Sequence, residues 1–466
     1  MCSSGSTDPS VWGRRPRLSG YESAIKAYTK ALTLVPTAHL AFAGVGFERL
    51  SGLLFTQGWQ LRHGAIDGDS AIWVASPSLA NDTLAFVPYP YADIATGKVL
   101  RSPSAPAALD RNRASLERLA TGWTLELPRS ATAFEALARA LELQGRIGGA
   151  DAQDSSALAA LRHARALATD SLDRRRLEVM DTRLLLISGH FTDARALADS
   201  ILASPVKTAA EADALKALAA LTGRVQRTID LLRIEAPTVE YISLDNRFVK
   251  PPPVVSEAAR ALLGYASFGV PMDSLVATKQ RVDHAIDSYV ENGSRSMMRE
   301  TVLNMPLTLA YPVAPALALQ RRGGGGDYLL DIQRAANKHD TVAVHEGLAA
   351  IAKLRALNRP GELSIYLTYQ EAWLLLQVGD TTGAVRQLDA TLTALPTLDA
   401  YLLDHVQDAA FLVRAMALRS DIAASAGDQR MAQRWATAVS DLWAGADAPL
   451  ASVVARMKGR AASGVR

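Results

Sequence analysis

The feature that most constrains the fold is a series of glycine-containing turns between stretches of helical apolar periodicity. In these stretches apolar residues recur every three or four positions, which places them on one face of a helix. Glycine allows the left-handed backbone that ends a helix. Between residues 109 and 234 the turns contain Gly122, Gly145, Gly148, Gly149, Gly189 and Gly223. We therefore predict an all-α protein.

The composition agrees with a helical fold. Hydrophobic residues make up 49% of the 466 and aromatic residues only 6%, whereas β-sandwiches and barrels are rich in valine, isoleucine and aromatics. The chain has 50 Lys+Arg and 47 Asp+Glu, for a net charge of +3. Its longest basic run is Arg174-Arg175-Arg176. Nucleic-acid-binding proteins normally concentrate basic residues on one face, so we expect no nucleic-acid partner.

Several segments interrupt the helical pattern. Two short apolar runs, at residues 71–75 and 83–87, predict strands of a hairpin, with a proline-rich loop after them and a further strand signal at 239–249. The predicted organisation is as follows: a disordered leader at 1–18, helices at 19–65, a β-like insertion at 66–108, helical repeats at 109–234, a Pro-rich linker at 235–255, helical repeats at 256–322, a Gly linker at 323–326 and C-terminal repeats at 327–466.

Residues 379–396 carry a distinctive spacing. A Gly-Asp turn is followed by a small residue, then by large residues at one-turn intervals, and finally by a proline. The positions are Gly379, Asp380, Ala384, Leu388, Leu392 and Pro396, with Ala372 at the small position of the preceding helix. This segment resembles the second half of a tetratricopeptide (TPR) repeat. Small residues let two antiparallel helices approach closely, and the leucines fill the space beyond them.

Three other segments are similar to the same family. Their matching residues are Ala24, Tyr28, Ala31 and Pro36; Gly189 and Ala194; and Gly427 and Ala432, the last pair in what looks like a capping unit. The resemblance implies a TPR-like helix-turn-helix solenoid, with the β-like insertion near residues 66–108. In such a solenoid each repeat contacts only its neighbours.

No arrangement of residues indicates catalysis. His345-Glu346 begins like a zinc-protease motif, but Ala349 occupies the position of the second metal ligand. Asp404 and Asp408 lie one helical turn apart, and we expect them to form an exposed acidic face. We assign no catalytic, cofactor-binding or metal-binding residue and predict that the protein is not an enzyme.

The resemblance implies a protein-interaction scaffold that binds a peptide or protein partner in the groove of the solenoid. Arg183, Arg414 and Arg419 lie on predicted helices and are our candidates for binding acidic groups of that partner. The alternative is the regulatory or sensor region of a bacterial serine/threonine protein kinase, because repeats around a β-like insertion look like the region after the catalytic domain in some of these kinases. The catalytic domain itself is absent from this sequence. In that case the chain is the C-terminal part of a longer protein.

The sequence also bears on location. Forty of the 50 basic residues are arginine, which is typical of a GC-rich bacterial genome. No uninterrupted run of 18 apolar residues occurs, so no membrane span is predicted. We expect a cytoplasmic protein, or a periplasmic or membrane-tethered one if a preceding segment carries a signal or an anchor.

Overall fold

The computed structural model describes residues 91–92, 99–100, 117, 120–122, 124–125, 127–142, 144–148, 155–206, 208–234, 241–242, 248–249, 251–270, 272–320, 328–355, 364–397 and 403–463. The chain divides into two compact units. The first unit comprises residues 1–177 and 353–357, and the second comprises 178–352 and 358–466. Helices dominate the described part of the chain, so the predicted all-α class is confirmed.

The first unit contains a short strand pair and two packed helices. Strands β1 (Tyr91–Ala92) and β2 (Val99–Leu100) pair antiparallel. They fall within the predicted insertion, in the segment expected to be a loop, while the predicted strands at 71–75 and 83–87 lie outside the described residues. Helix α1 (Ala131–Glu142) packs against α2 (Ala157–Leu167).

Helix α3 (Ser171–Ile187) begins in the first unit and continues into the second. Within the first unit, Arg176 donates hydrogen bonds to both carboxylate oxygens of buried Glu135 on α1. Arg176 belongs to the longest basic run of the sequence, so part of that run makes internal contacts.

The second unit contains most of the helices. They are α4 (Phe191–Leu202), α5 (Ala209–Leu221), α6 (Val225–Ile234), α7 (Pro253–Phe268), α8 (Met272–Tyr289), α9 (Arg295–Ala310), α10 (Pro315–Ala318), α11 (Tyr328–Asn337), α12 (Thr341–Arg355), α13 (Ile365–Gln377), α14 (Thr381–Thr393), α15 (Val406–Ser425), α16 (Gln429–Leu442) and α17 (Ala451–Ala462). Short 3₁₀ helices span Asn292–Ser294, Leu395–Thr397 and Ala448–Leu450. Strands β3 (Tyr241–Ile242) and β4 (Phe248–Val249) pair antiparallel at the strand signal in the Pro-rich linker.

Five pairs of consecutive helices share one turn geometry. The pairs are α3–α4, α5–α6, α11–α12, α13–α14 and α15–α16, and three residues separate the helices of each pair. The middle turn residue has a positive φ in all five: Gly189 (86°), Gly223 (72°), His339 (56°), Gly379 (83°) and Gly427 (79°). Its N–H donates to the carbonyl three residues earlier, and the next N–H donates to the carbonyl five residues before it. This is the Schellman arrangement that closes a helix C-terminus.

A buried residue follows the left-handed residue by five positions in every pair. These residues are Ala194, Thr228, Val344, Ala384 and Ala432, and none is more than 1% exposed. The sequence pattern included the three alanines. It did not include Thr228 or Val344, because a hydroxyl or branched side chain stands where the pattern has alanine.

The expectation that each repeat contacts only its neighbours is wrong within the second unit. Helix α15 packs against α5 and α7 as well as against α13, α14 and α16, and α16 packs against α4. The reason lies in α15 itself, since 16 of its 20 residues are buried. A helix that is apolar on every side requires partners on every side.

Candidate functional site

The predicted repeat-packing residues occupy turns and helix contacts. Gly189, Gly379 and Gly427 are the left-handed turn residues of three helix pairs. Pro396 lies in the 3₁₀ helix after α14. Five others are buried side chains: Ala194, Ala372, Ala384, Leu388 and Ala432. The remaining four, Ala24, Tyr28, Ala31 and Pro36, lie outside the described residues.

The position of Arg414 does not agree with the prediction that it binds a partner. It lies on α15, is only 7% exposed, and donates from Nη1 to the carbonyl oxygens of Ser267 (2.9 Å) and Ala266 (3.3 Å) at the end of α7. Its Cζ lies 4.3 Å from the ring centre of Phe411 and 4.7 Å from that of Tyr369. Unsatisfied carbonyls and the negative end of a helix dipole favour a cation at this position. The guanidinium is therefore an internal tie between α15 and α7.

Arg419 and Arg183 also make internal contacts. Arg419, 6% exposed, binds both carboxylate oxygens of Asp389 on α14, with Nε–Oδ1 2.7 Å and Nη2–Oδ2 3.1 Å. Arg183 on α3 forms an ion pair with Asp404, and 15% of its side chain is exposed. A planar guanidinium matches a carboxylate in two-point contact, as Arg419 does here. Aspartates of the protein itself bind both arginines, so the predicted roles in partner binding are not supported.

The expectation that Asp408 belongs to an exposed acidic face is wrong, because its side chain is buried. It lies in the first turn of α15 and is 2% exposed. Its Oδ1 accepts hydrogen bonds from the backbone N–H groups of Ile365 (2.6 Å) and Tyr366 (3.1 Å), the first two residues of α13. Burial raises the pKa of Asp408 to about 7, although these hydrogen bonds act in the opposite direction. The carboxyl therefore caps another helix and titrates near neutrality.

A second ionisable group of residues lies just before α15. Burial raises the pKa of Asp404, and Arg183 opposes that shift. Burial lowers the pKa of His405, while Asp404 opposes that shift. Lys216 and Asp213 of α5 also act on both groups. Residues from α3, α5 and the start of α15 thus form one cluster of mixed charge.

A more exposed contact connects α12 to the turn before α14. His345 Nδ1 lies 2.8 Å from the carbonyl oxygen of Thr341, and its Nε2 lies 3.3 Å from Asp380 Oδ2. Asp380 is the N-cap of α14, and its Oδ1 accepts the N–H of Gly383 at 2.7 Å. Both imidazole nitrogens face acceptors, so the doubly protonated ring is the form that can donate to both.

Neither a protein-family model nor a curated protein matches the sequence. Over the ranges that the structure describes, no group of three or more His, Cys, Asp and Glu side chains is placed to hold a metal ion. No helix in those ranges is long and apolar enough to cross a membrane.

Proposed function

We propose that this protein is a non-enzymatic scaffold that binds a protein or peptide partner through TPR-like helix pairs. The observation that supports this proposal is the common turn of five helix pairs, each with a buried residue five positions after a left-handed one. Arrays of such pairs present side chains from successive helices to extended peptides or partner helices. The similarity of residues 379–396 to a TPR repeat agrees with this proposal.

The helix contacts restrict where such a partner can bind. Helix α15 already packs against α5, α7 and α13, so their faces toward α15 are filled by the protein itself. Outward faces remain, and α12 provides one. From residue 341 to 352 of α12 only Val344 and Leu348 are buried, whereas Val342 is 67% exposed. We therefore place the first test of partner contact on α12.

The test places a photo-crosslinking amino acid at Val342 of the full chain. The protein is expressed in cells of the organism from which it comes. The matched control carries the same amino acid at Tyr289, which is 63% exposed but lies on α8, outside the five pairs. We expect one protein species to be crosslinked from position 342 and to form a stoichiometric complex when purified with the chain. Equal labelling from both positions, or no stoichiometric complex, would contradict the proposal.

A second arm asks whether binding depends on the helix pairs. Ala384 is fully buried in the pair α13–α14, whereas Arg386, two residues away, is exposed. The complex should be lost with Ala384→Arg and retained with Arg386→Ala. Retention of the complex by both variants would show that the partner does not recognise this pair.

A further inference from the structure

The first turn of α13 is capped by a residue from another helix. Ser364 precedes α13 at the N-cap position, but its side chain makes no capping hydrogen bond. Oδ1 of Asp408, 43 residues later on α15, accepts the N–H groups of Ile365 and Tyr366 instead. The free N–H groups of a helix start are normally satisfied by a nearby side chain. Here a single oxygen atom joins the start of one helix to another.

The surroundings of Asp408 favour its neutral form. The residue is 2% exposed, and no lysine, arginine or histidine within the described ranges pairs with its carboxylate. The compensation comes from the N-terminus of α13, which carries only a partial positive charge. Moving a carboxylate out of water without a full counter-charge disfavours ionisation.

The titratable groups on the elements packed around Asp408 do not supply that counter-charge. On α13, burial together with Asp408 raises the pKa of Tyr366 to about 12, so its phenol stays neutral. Arg183 of α3 is paired with Asp404. His405, at the start of α15, has a lowered pKa because of burial.

Helix α5 carries two further charged residues that act on Asp404 and His405, namely Lys216 and Asp213. Lys216 lies 2.5 Å from Asp213, an ion pair on α5 itself. Both act on His405 and on Asp404, but neither contributes to the titration of Asp408. Protonation of Asp408 is therefore governed by its own burial and by the two backbone hydrogen bonds.

We propose that Asp408 is a pH-responsive clasp that holds the start of α13 to α15 most tightly when its carboxyl is protonated and loosens when the carboxyl ionises.

The direction and the range of pH follow from linkage. The carboxyl titrates near pH 7 in the closed structure, compared with its ordinary pKa of 3.8 when the chain opens. A group whose pKa is raised by folding contributes stability that is complete below the lower pKa and is lost as pH rises to the higher one. Acidification from neutrality should therefore tighten the clasp, and little further change is expected above pH 8.

Hydrogen exchange of the full chain tests the clasp. In the wild-type protein, we expect protection of the peptide at residues 365–372 to fall about 100-fold between pH 5 and pH 8, after correction for intrinsic exchange. Asp408→Asn keeps an oxygen that accepts both N–H groups but cannot ionise. Its protection should therefore change less than about threefold over the same range.

A control variant and an internal reference distinguish a specific effect of Asp408 from a general loss of folding. Asp428 caps α16 locally by accepting the N–H of Met431 at 3.0 Å, so Asp428→Asn should leave the pH dependence of residues 365–372 unchanged. Residues 429–442 of α16 provide a reference in the same wild-type sample, which is needed if Asp408→Asn does not fold. Wild-type protection of 365–372 that follows α16 at every pH overturns the proposal, as does a pH dependence retained by a folded Asp408→Asn.

Discussion

Two regions of the second unit use ionisable side chains to join different helices, and they differ mainly in burial. The buried joint consists of Asp408, Arg414 and Arg419 on α15, each at most 7% exposed. The exposed joint consists of His345 on α12 and Asp380 at the N-cap of α14, whose side chains are 45% and 30% exposed. Water screens the charges of the second joint more than those of the first, so similar contacts differ in energy.

The two aspartates show this difference most directly. Asp380 and Asp408 both accept backbone N–H groups at the start of a helix. The hydrogen bond from Gly383 lowers the pKa of Asp380, and His345 adds to that effect. The pKa of Asp408 is raised because burial outweighs its two hydrogen bonds. A carboxylate at a helix N-terminus therefore shifts in either direction, depending on whether desolvation or hydrogen bonding dominates.

The largest expected effect separates two arginines that both lie over aromatic rings. Arg414→Met should reduce the free energy of unfolding by about 2–4 kcal/mol, because buried carbonyls of α7 lose a charged donor. Arg434 is exposed on α16, with its Cζ 4.7 Å from the ring centre of Trp435, and Arg434→Met should cost less than about 1 kcal/mol. Denaturant unfolding measures both. Similar losses would show that burial does not determine what an arginine over an aromatic ring contributes to stability.

The next effect tests whether burial or nearness to the exposed joint decides the outcome. Ala384 lies one turn after Asp380 but is fully buried. We expect Ala384→Arg to cost about 2 kcal/mol, because a long charged side chain must enter the contact between α13 and α14. Arg386→Ala should stay within about 0.5 kcal/mol. Thermal unfolding decides, and comparable losses in both variants would mean that the helix register is wrong.

A smaller effect concerns the pKa of His345. Its hydrogen bond to the carbonyl of Thr341 raises the pKa, and Asp380 raises it further. Asp380→Asn keeps a capping side chain for α14 but removes the charge, so the pKa of His345 should fall. Nuclear magnetic resonance titration of the histidine ring measures this shift, with exposed His284 as a reference in the same spectra.

The contribution of His345 to stability should be present below pH 6.5 and should disappear as pH rises through its higher pKa in the folded protein. Asp380→Asn should weaken that pH dependence. If the pKa of His345 does not change in Asp380→Asn, the charge of Asp380 does not affect His345 at the exposed joint.

The smallest effect is at the turn before α12. His339 has a φ of 56°, which is a left-handed conformation that glycine adopts in the other four shared turns. His339→Gly should raise the free energy of unfolding by about 0.5 kcal/mol, because relief of the left-handed strain slightly exceeds the greater freedom of the unfolded chain. Chemical unfolding at one pH measures it. A loss of stability would indicate that the histidine side chain makes a favourable contact that outweighs the strain.

The local structure was accessible from the sequence, whereas the arrangement of the buried joint was not. A glycine followed after five residues by alanine predicted three of the five shared turns, and Gly223 without that alanine predicted a fourth, since these features are local. The turn at His339 was not predicted, because nothing in a single sequence indicates that a histidine is left-handed. The role of Asp408 as a cap depends on Ile365 and Tyr366 lying beside it, and no spacing rule connects residues 43 positions apart on separate helices.

One signal in the sequence did point to the buried joint. Residues 409–413 and 415–418 are apolar at every position around the helix, and a helix that is apolar all round is a core helix. The single charge between them, Arg414, must then be satisfied inside the protein rather than by a partner. The same argument applies to Asp408 and Arg419 at the two ends of this run.

The tie between Arg414 and α7 has a consequence for synthesis of the chain. Arg414 follows Ser267 by 147 residues. At about 5–20 residues per second, a ribosome needs roughly 7–30 s to add them. Throughout that time the C-terminal carbonyls of α7 and the apolar surfaces that will cover α15 are without their final neighbour. During synthesis the second unit therefore cannot complete its packing until α15 has been made. Chaperone binding to α5 and α7 during this interval would protect the chain from aggregation.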